Sequence, residues 1–286
     1  MLHFELIKSY EHVSHFNALT RRIWGTNADD DIPVHVLVTI AKNGGGVLVA
    51  RADDGPPELG GMVGMALWWL GIQQLSGERA PRLKACSHMA GVLQAWQRQG
   101  VGRQLKLKQR EIILEQGVTE WVTWTYDPLY RTNGVFNTHR LGAVCNTYAR
   151  NVYGELDDEL NRGTPSDRCQ VDWWLRSERV ERAAENKLPN GQRDWQESQV
   201  LPSTRNAAGF LCPGAAGGAL EAPTIAIPIP EDIAAVRRSD PALGHEWRMY
   251  MREVMETAFA AGYLMVDCVK LQESTWHYIL TISQQS

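Results

Sequence analysis

Between a β-rich run at residues 86–94 and a helical pattern over Val101–Gln116, the chain turns through Gln97-Arg98-Gln99-Gly100-Val101-Gly102. Glycine at positions 100 and 102 lets the backbone take a left-handed turn and approach a ligand closely. The first amides of the helix that follows have no partner inside it, and the helix dipole favours an anion at that end. Strand, glycine loop and helix N-terminus together form a phosphate cradle, which commits this part of the chain to an α/β arrangement. Arg98 and Arg103 flank the loop, and Lys106, Lys108 and Arg110 read as the solvated face of the helix. Two common cradles are excluded. The dinucleotide fingerprint requires a third glycine where this chain has Leu105, and the Gly-Lys-Ser/Thr ending of a P-loop does not occur.

Around this loop the apolar pattern orders the remaining elements. A strand at residues 4–7 is followed by a helix from about Ser9 to Gly25 carrying Val13, Phe16, Leu19 and Ile23 on one side. Pro33 opens a second helix ending at Asn43-Gly44, and strands at 47–50 and 62–70 flank the turn Asp53-Asp54-Gly55-Pro56-Pro57. Beyond the loop helix come a strand at 119–126 stopped by Asp127-Pro128, a short helix at 133–140, and strands at 143–153 and 169–175. The order β-α-α-β-β-β-α-β-α-β-β predicts an α+β fold on a mixed sheet. Residues 1–178 form this patterned domain, and 179–223, rich in Gly, Ala and Pro, read as a linker or long surface excursion. Residues 224–286 regain pattern as a small β-α-β-β module whose helix buries Trp247, Met251, Val254, Met255 and Phe259. Either the first domain or the same module of a second subunit, in a homodimer, covers that helix face.

Composition closes several function classes. The net charge of -4 gives no general electrostatic attraction to nucleic acid. No apolar run approaches the roughly eighteen residues of a membrane span. The first residues lack a basic region followed by an apolar stretch, so a cytoplasmic protein is expected. Five widely spaced cysteines suit a reducing compartment and form no zinc knuckle, so neither disulfides nor a metal are expected. Eleven tryptophans in 286 residues are unusual. The pairs Trp68-Trp69 and Trp173-Trp174 place one ring on each face of a strand, as do Trp121 and Trp124, and Trp96 precedes the glycine loop.

The pattern Gln/Arg-x-x-Gly-x-Gly/Ala at Gln97, Gly100 and Gly102 resembles the GNAT superfamily of N-acyltransferases. The order of elements over residues 1–178 is similar as well, including Asn137-Thr138-His139-Arg140-Leu141-Gly142 before the sixth strand. The segment 154–168 resembles a predicted-acetyltransferase branch with a C-terminal extension. The resemblance implies acetyl-CoA or another acyl-CoA as co-substrate. Backbone groups of Val92 and Leu93 would bind the pantetheine arm, and Arg98, Gln99, Gly100, Val101, Gly102 and Arg103 the pyrophosphate. Asn137 would hydrogen-bond the arm, and a small-molecule amine or an amino acid would attack the thioester directly.

One departure from the family pattern matters for the chemistry. Thr138 stands where many relatives have a tyrosine that protonates the leaving thiolate. The acid is then Tyr126, Tyr130, Tyr148 or a water, with Tyr130 nearest the usual region. For the base, His88 has a suitable ordinary pKa, and Asp127 ends the strand where the cleft of the family opens. Glu58 is a further choice, and an already neutral amine needs no base. Two other readings stay open: succinyl-CoA or another acyl donor with an amino-acid acceptor, and a CoA-binding module without turnover. The loop Asp157, Asp158, Arg162, Asp167 and Arg168 reads as solvated ion pairs, its mixed sign also suiting a zwitterionic acceptor.

Overall fold

The structure, a computed structural model, describes residues 1–8, 10–75, 77–154, 165–188, 195, 197–215, 220–271 and 275–282. The fold is mixed α/β. It comprises two compact units, Met1–Trp124 with Trp174–Arg176, and Thr125–Trp173 with Ser177–Ser286. The loop at 155–164, with Asp157, Asp158 and Arg162, lies outside the described residues.

Unit 1 contains β1 (Leu2–Leu6), α1 (Tyr10–Trp24), α2 (Val34–Lys42), β2 (Gly46–Ala52), β3 (Met62–Gln73), β4 (Arg82–Val92) and α3 (Val101–Gln116). It also holds the first residues of β5 (Trp121–Tyr126). Strands β1 to β4 pair antiparallel in sequence order, and β5 joins β4 in parallel. The helical spacing of Val13, Phe16 and Leu19 puts them on one face of α1, where all are buried with Val47, Val49, Met65 and Leu67 of the sheet. Each such side chain contributes roughly 2 to 3 kcal/mol by leaving water. Alternate residues of the same strands face α3: a Cβ on Gly64 would stand 2.9 Å from Leu105 Cδ1, so β3 and α3 pack closely because position 64 has no side chain. Gly46 serves the same purpose for an indole, since a Cβ there would lie 2.1 Å from the Trp68 ring.

The aromatic residues sort as their strand positions predict. Trp68 is fully buried and its neighbour Trp69 half-buried. Trp121 stacks on Trp174 with ring centroids 5.1 Å apart, and Lys84 and Arg82 lie over the two rings. Trp96 packs against the α1 core. One expectation for α3 is corrected. Lys106 is not on a solvated face but buried, bonded to Ser87 and Gln109, because its position points at β4 and β5. Lys108 and Arg110 are partly exposed, paired with Glu111 and the Leu175 carbonyl.

Unit 2 opens with α4 (Arg131–Gly134), which continues as a π-helix over Val135–Arg140. Then come β6 (Val144–Ala149), β7 (Arg168–Trp174), α5 (Glu178–Ala184), β8 (Gln199–Val200), β9 (Ser203–Arg205) and β10 (Leu211–Pro213). The remaining elements are β11 (Thr224–Ile229), α6 (Ile233–Ser239), α7 (Pro241–Ala260), β12 (Tyr263–Lys270) and β13 (Trp276–Ile282). Residues 179–223 thus carry most of a helix and three short strands, and α6 adds an element that the spacing did not predict. The strands lie in the order β7-β6-β12-β13-β11-β8, with β12 meeting β6 at Met265 opposite Cys145. Asp240 caps α7 by accepting the Leu243 amide at 3.0 Å, and Pro241 takes the first helical position, where no amide is needed. Tyr278 of β13 donates to the Pro128 carbonyl at 2.8 Å, and its ring fills the space beside Gly134.

Candidate functional site

Strand β4 ends in an opening. Its parallel pairing with β5 covers Ala85 opposite Val122 and Cys86 opposite Thr123, whereas its pairing with β3 continues to Val92 opposite Gly64. From Ser87 to Val92 the β5-facing edge of β4 therefore lies beyond its ladder with β5. The register with β3 also shifts: Leu67 faces Met89 and Trp68 faces Ser87, so His88 is the extra residue of a β-bulge. A bulge re-aims a side chain out of strict alternation. His88 is exposed, and its ring lies 5.0 Å from that of Trp69. Crowding by these neighbours removes part of its hydration and lowers its pKa below the ordinary 6.5, which favours the neutral imidazole.

The glycine loop follows directly. The Leu93 amide donates to the Val63 carbonyl at 2.9 Å, and a short 3₁₀ turn, Gln94–Trp96, brings Gln97 back so that its side chain donates to the Val92 carbonyl at 3.1 Å. Arg98 has φ 62 and Gly100 has φ 82. A left-handed arginine costs about 1 to 2 kcal/mol, and such strain gathers where a loop must hold a ligand. The Gln104 amide reaches the Gly100 carbonyl at 3.0 Å, so the amides of Val101, Gly102 and Arg103 precede the helix ladder, and Gly100 at the N-cap has no side chain with which to cap them. Residues 97–100 are exposed. The bulged histidine, the β4 edge beyond its ladder with β5, Leu93 and the 98–103 loop are contiguous in unit 1, on one strand and the turn that leaves it.

Unit 2 carries the other sequence candidates. Tyr126 is buried, donates to Met265 Sδ at 3.4 Å, and has its pKa pushed well up by burial and by Tyr278. Tyr148 donates to Asp167 at 2.9 Å, and burial raises its pKa as well. Tyr130 is half-buried at the start of α4, with the Arg237 guanidinium 5.8 Å from its ring centroid. Thr138 is buried and its hydroxyl donates to the Gly134 carbonyl at 2.9 Å. Asn137 is buried one residue earlier, and its carbonyl accepts the Ala143 amide at 3.0 Å.

Asp127 has a more committed geometry than the sequence suggested. Its Oδ1 accepts the Leu129 amide at 2.9 Å and its Oδ2 accepts from Arg248. Arg237 lies 3.8 Å and Arg168 4.0 Å from the same Oδ2. Sequence reasoning missed these three arginines as a group. The available signal was Arg248, which sits three residues before Met251 and seven before Met255, on the apolar face of α7. Among the described residues no group of three His, Cys, Asp or Glu could hold a metal ion, and no helix is long and apolar enough to cross a membrane.

No protein-family model and no curated protein matches the chain. Solved structures of GNAT-family acetyltransferases do resemble it. NAA60 of Arabidopsis thaliana in complex with acetyl-CoA is 10% identical with a TM-score of 0.47, over 61% of this chain and 99% of that one. The ribosomal-protein-S18-alanine N-acetyltransferase of Escherichia coli is 15% identical with a TM-score of 0.43, over 61% of this chain and 94% of that one. A putative GNAT-family acetyltransferase of Desulfovibrio desulfuricans is 13% identical with a TM-score of 0.43, over 61% of this chain and 99% of that one.

Proposed function

We propose that this protein is an acyl-CoA-dependent N-acyltransferase, with acetyl-CoA as the foremost donor and the amine of a small molecule or amino acid as acceptor. The observation that carries the reading is the early end of the β4–β5 pairing at Cys86 and Thr123, while β4 runs on to Val92 and into the uncapped start of α3. The edge of β4 beyond Cys86 suits an amide-bearing pantetheine arm, to which Val92 and Leu93 are assigned, although the Leu93 amide and carbonyl are already bonded to Val63 and Trp96. The backbone of Arg98, Gln99, Gly100, Val101, Gly102 and Arg103 suits a pyrophosphate, by amide donation and helix dipole together. Asn137 is assigned to the arm as well.

The amine nitrogen attacks the thioester carbonyl carbon, the carbon–sulfur bond breaks, and the thiolate takes a proton while the new amide nitrogen loses one. His88, neutral near pH 7, is the proposed base. Tyr130, at the start of α4, is the proposed acid. Asp127, with both oxygens occupied, is better suited to organising charge than to meeting an amine. The test is a panel of acyl-CoA donors against small amines, read by free-thiol release, with CoA binding measured separately by calorimetry. The absence of both thiol release and CoA binding would overturn the reading. The bonded, buried Thr138 favours a second reading, CoA binding without turnover, which predicts the binding and no thiol release with any pair.

A further inference from the structure

We infer that Lys106 is a positioning residue for the pantetheine arm, its buried ammonium keeping β4 and β5 apart at Ser87 and Trp124. The inference rests on the acyl-CoA reading and deepens it, and its residues all lie in unit 1.

The register locates the place. Ala85 pairs with Val122 and Cys86 with Thr123, so the next two positions in step are Ser87 and Trp124. They are the first facing pair that does not join the ladder, although β4 runs on to Val92. Lys106 of α3 touches both of them. Its Nζ donates to Ser87 Oγ at 3.1 Å and stands 3.8 Å from the centroid of the Trp124 indole. The same Nζ donates to Gln109 Oε1 at 2.7 Å, and Gln109 Nε2 donates to Ser87 Oγ at 3.2 Å. One ammonium thus links a hydroxyl of β4, a ring of β5 and an amide of its own helix, and all three polar residues are buried. Strands in a ladder lie about 4.8 Å apart. An ammonium with these contacts on either side fills the space that the two side chains would share if the strands closed to that spacing.

The choice of side chain is unfavourable for stability. Leu105, Ile112 and Ile113 on the buried side of α3 are apolar, whereas a lysine there loses its hydration. That loss brings its pKa down to about 7. An apolar residue in its place would leave Ser87 and Trp124 free to extend the ladder, since pairing satisfies backbone groups that otherwise need water or a ligand. A sequence that breaks the burial rule at the position where two strands part is using the charge to hold them apart. The consequence is an unzipped β4 edge beyond Cys86, the edge to which the arm is assigned.

The experiment is calorimetry on the full chain at pH 6.5 with CoA and, separately, with ADP, which carries a pyrophosphate but no arm. Urea unfolding of the same proteins runs beside it. Lys106→Met keeps much of the volume and loses the tether to Ser87. CoA affinity should fall at least tenfold and ADP affinity should stay within twofold, while the unfolding midpoint rises. Ser87→Ala removes the β4 anchor and leaves Lys106 on Gln109; it should weaken CoA at least threefold and spare ADP in the same way. CoA affinity within twofold of the parent in Lys106→Met would overturn the inference. So would equal losses of CoA and ADP, or a loss of CoA with a lower unfolding midpoint, either of which marks a lysine that only supports the fold. A parent that binds no CoA is a different result, the failure of the acyl-CoA reading itself.

Discussion

The Lys106 ammonium stands 3.8 Å from the centroid of the Trp124 indole, buried between α3 and the sheet. Desolvation lowers its pKa from 10.5 to about 7. The unfolded chain, with an ordinary lysine, then holds more protons than the folded one between those values. Stability contributed by this position rises across pH 7 to 10.5 and carries the full penalty below pH 7. The indole face offsets part of that penalty, by about 2 kcal/mol in a dry site. Lys106→Met leaves Ser87 and Gln109 bonded to each other at 3.2 Å. It should therefore be more stable than the parent at pH 6.5 by roughly 1 to 3 kcal/mol, a gap closing toward pH 10. Urea unfolding of both proteins across this range checks the sign; a gap that widens with pH would refute it.

Gly46 and Trp68 face each other across β2 and β3, and the ring occupies the volume of any side chain at position 46. Gly46→Val should destabilise unit 1 by about 3 kcal/mol or more through overpacking. The lost stability should appear in denaturant midpoints, together with a changed tryptophan emission maximum. A variant as stable as the parent would show that the indole is free to move aside.

Gly100→Glu sets a side chain on a left-handed residue and an anion at the uncapped helix start. CoA affinity should fall at least tenfold, about 1.4 kcal/mol, with little loss of helix by circular dichroism. Unaltered affinity by calorimetry would move the pyrophosphate away from this loop.

If His88 takes the proton from the amine, kcat/KM should fall on the acid side with a midpoint below 6.5, following its lowered pKa. His88→Gln should remove that limb and reduce kcat by roughly 10²- to 10⁴-fold. A full profile retained in the variant would leave the incoming amine to lose its own proton.

Much of the fold was legible because its punctuation is local. The pattern placed the ends of α3 at Val101 and Gln116, where Gly100 and Gly117 both take left-handed φ. It placed the start of α7 at Asp240-Pro241, where the aspartate caps the helix. The loop face of the candidate site was legible for the same reason. The bulge at His88 was not, because it depends on a register with β3 that no periodicity within β4 specifies. Lys106 and the arginines around Asp127 were hidden differently. Whether a charged residue is solvated or buried depends on partners far away in sequence, and Arg248 lies 121 positions from Asp127.

The pairing of β12 with β6, and the reach of Tyr278 to the Pro128 carbonyl, give the last sixty-odd residues a task inside unit 2. A chain cut at residue 223 would turn β6 from an interior strand into a bare edge, the kind that recruits other chains. It would also remove the hydroxyl that anchors the turn between Asp127 and Tyr130. Trimming the protein for expression would thus trade solubility and a fixed turn for brevity, and any shortened form should keep β12 and β13.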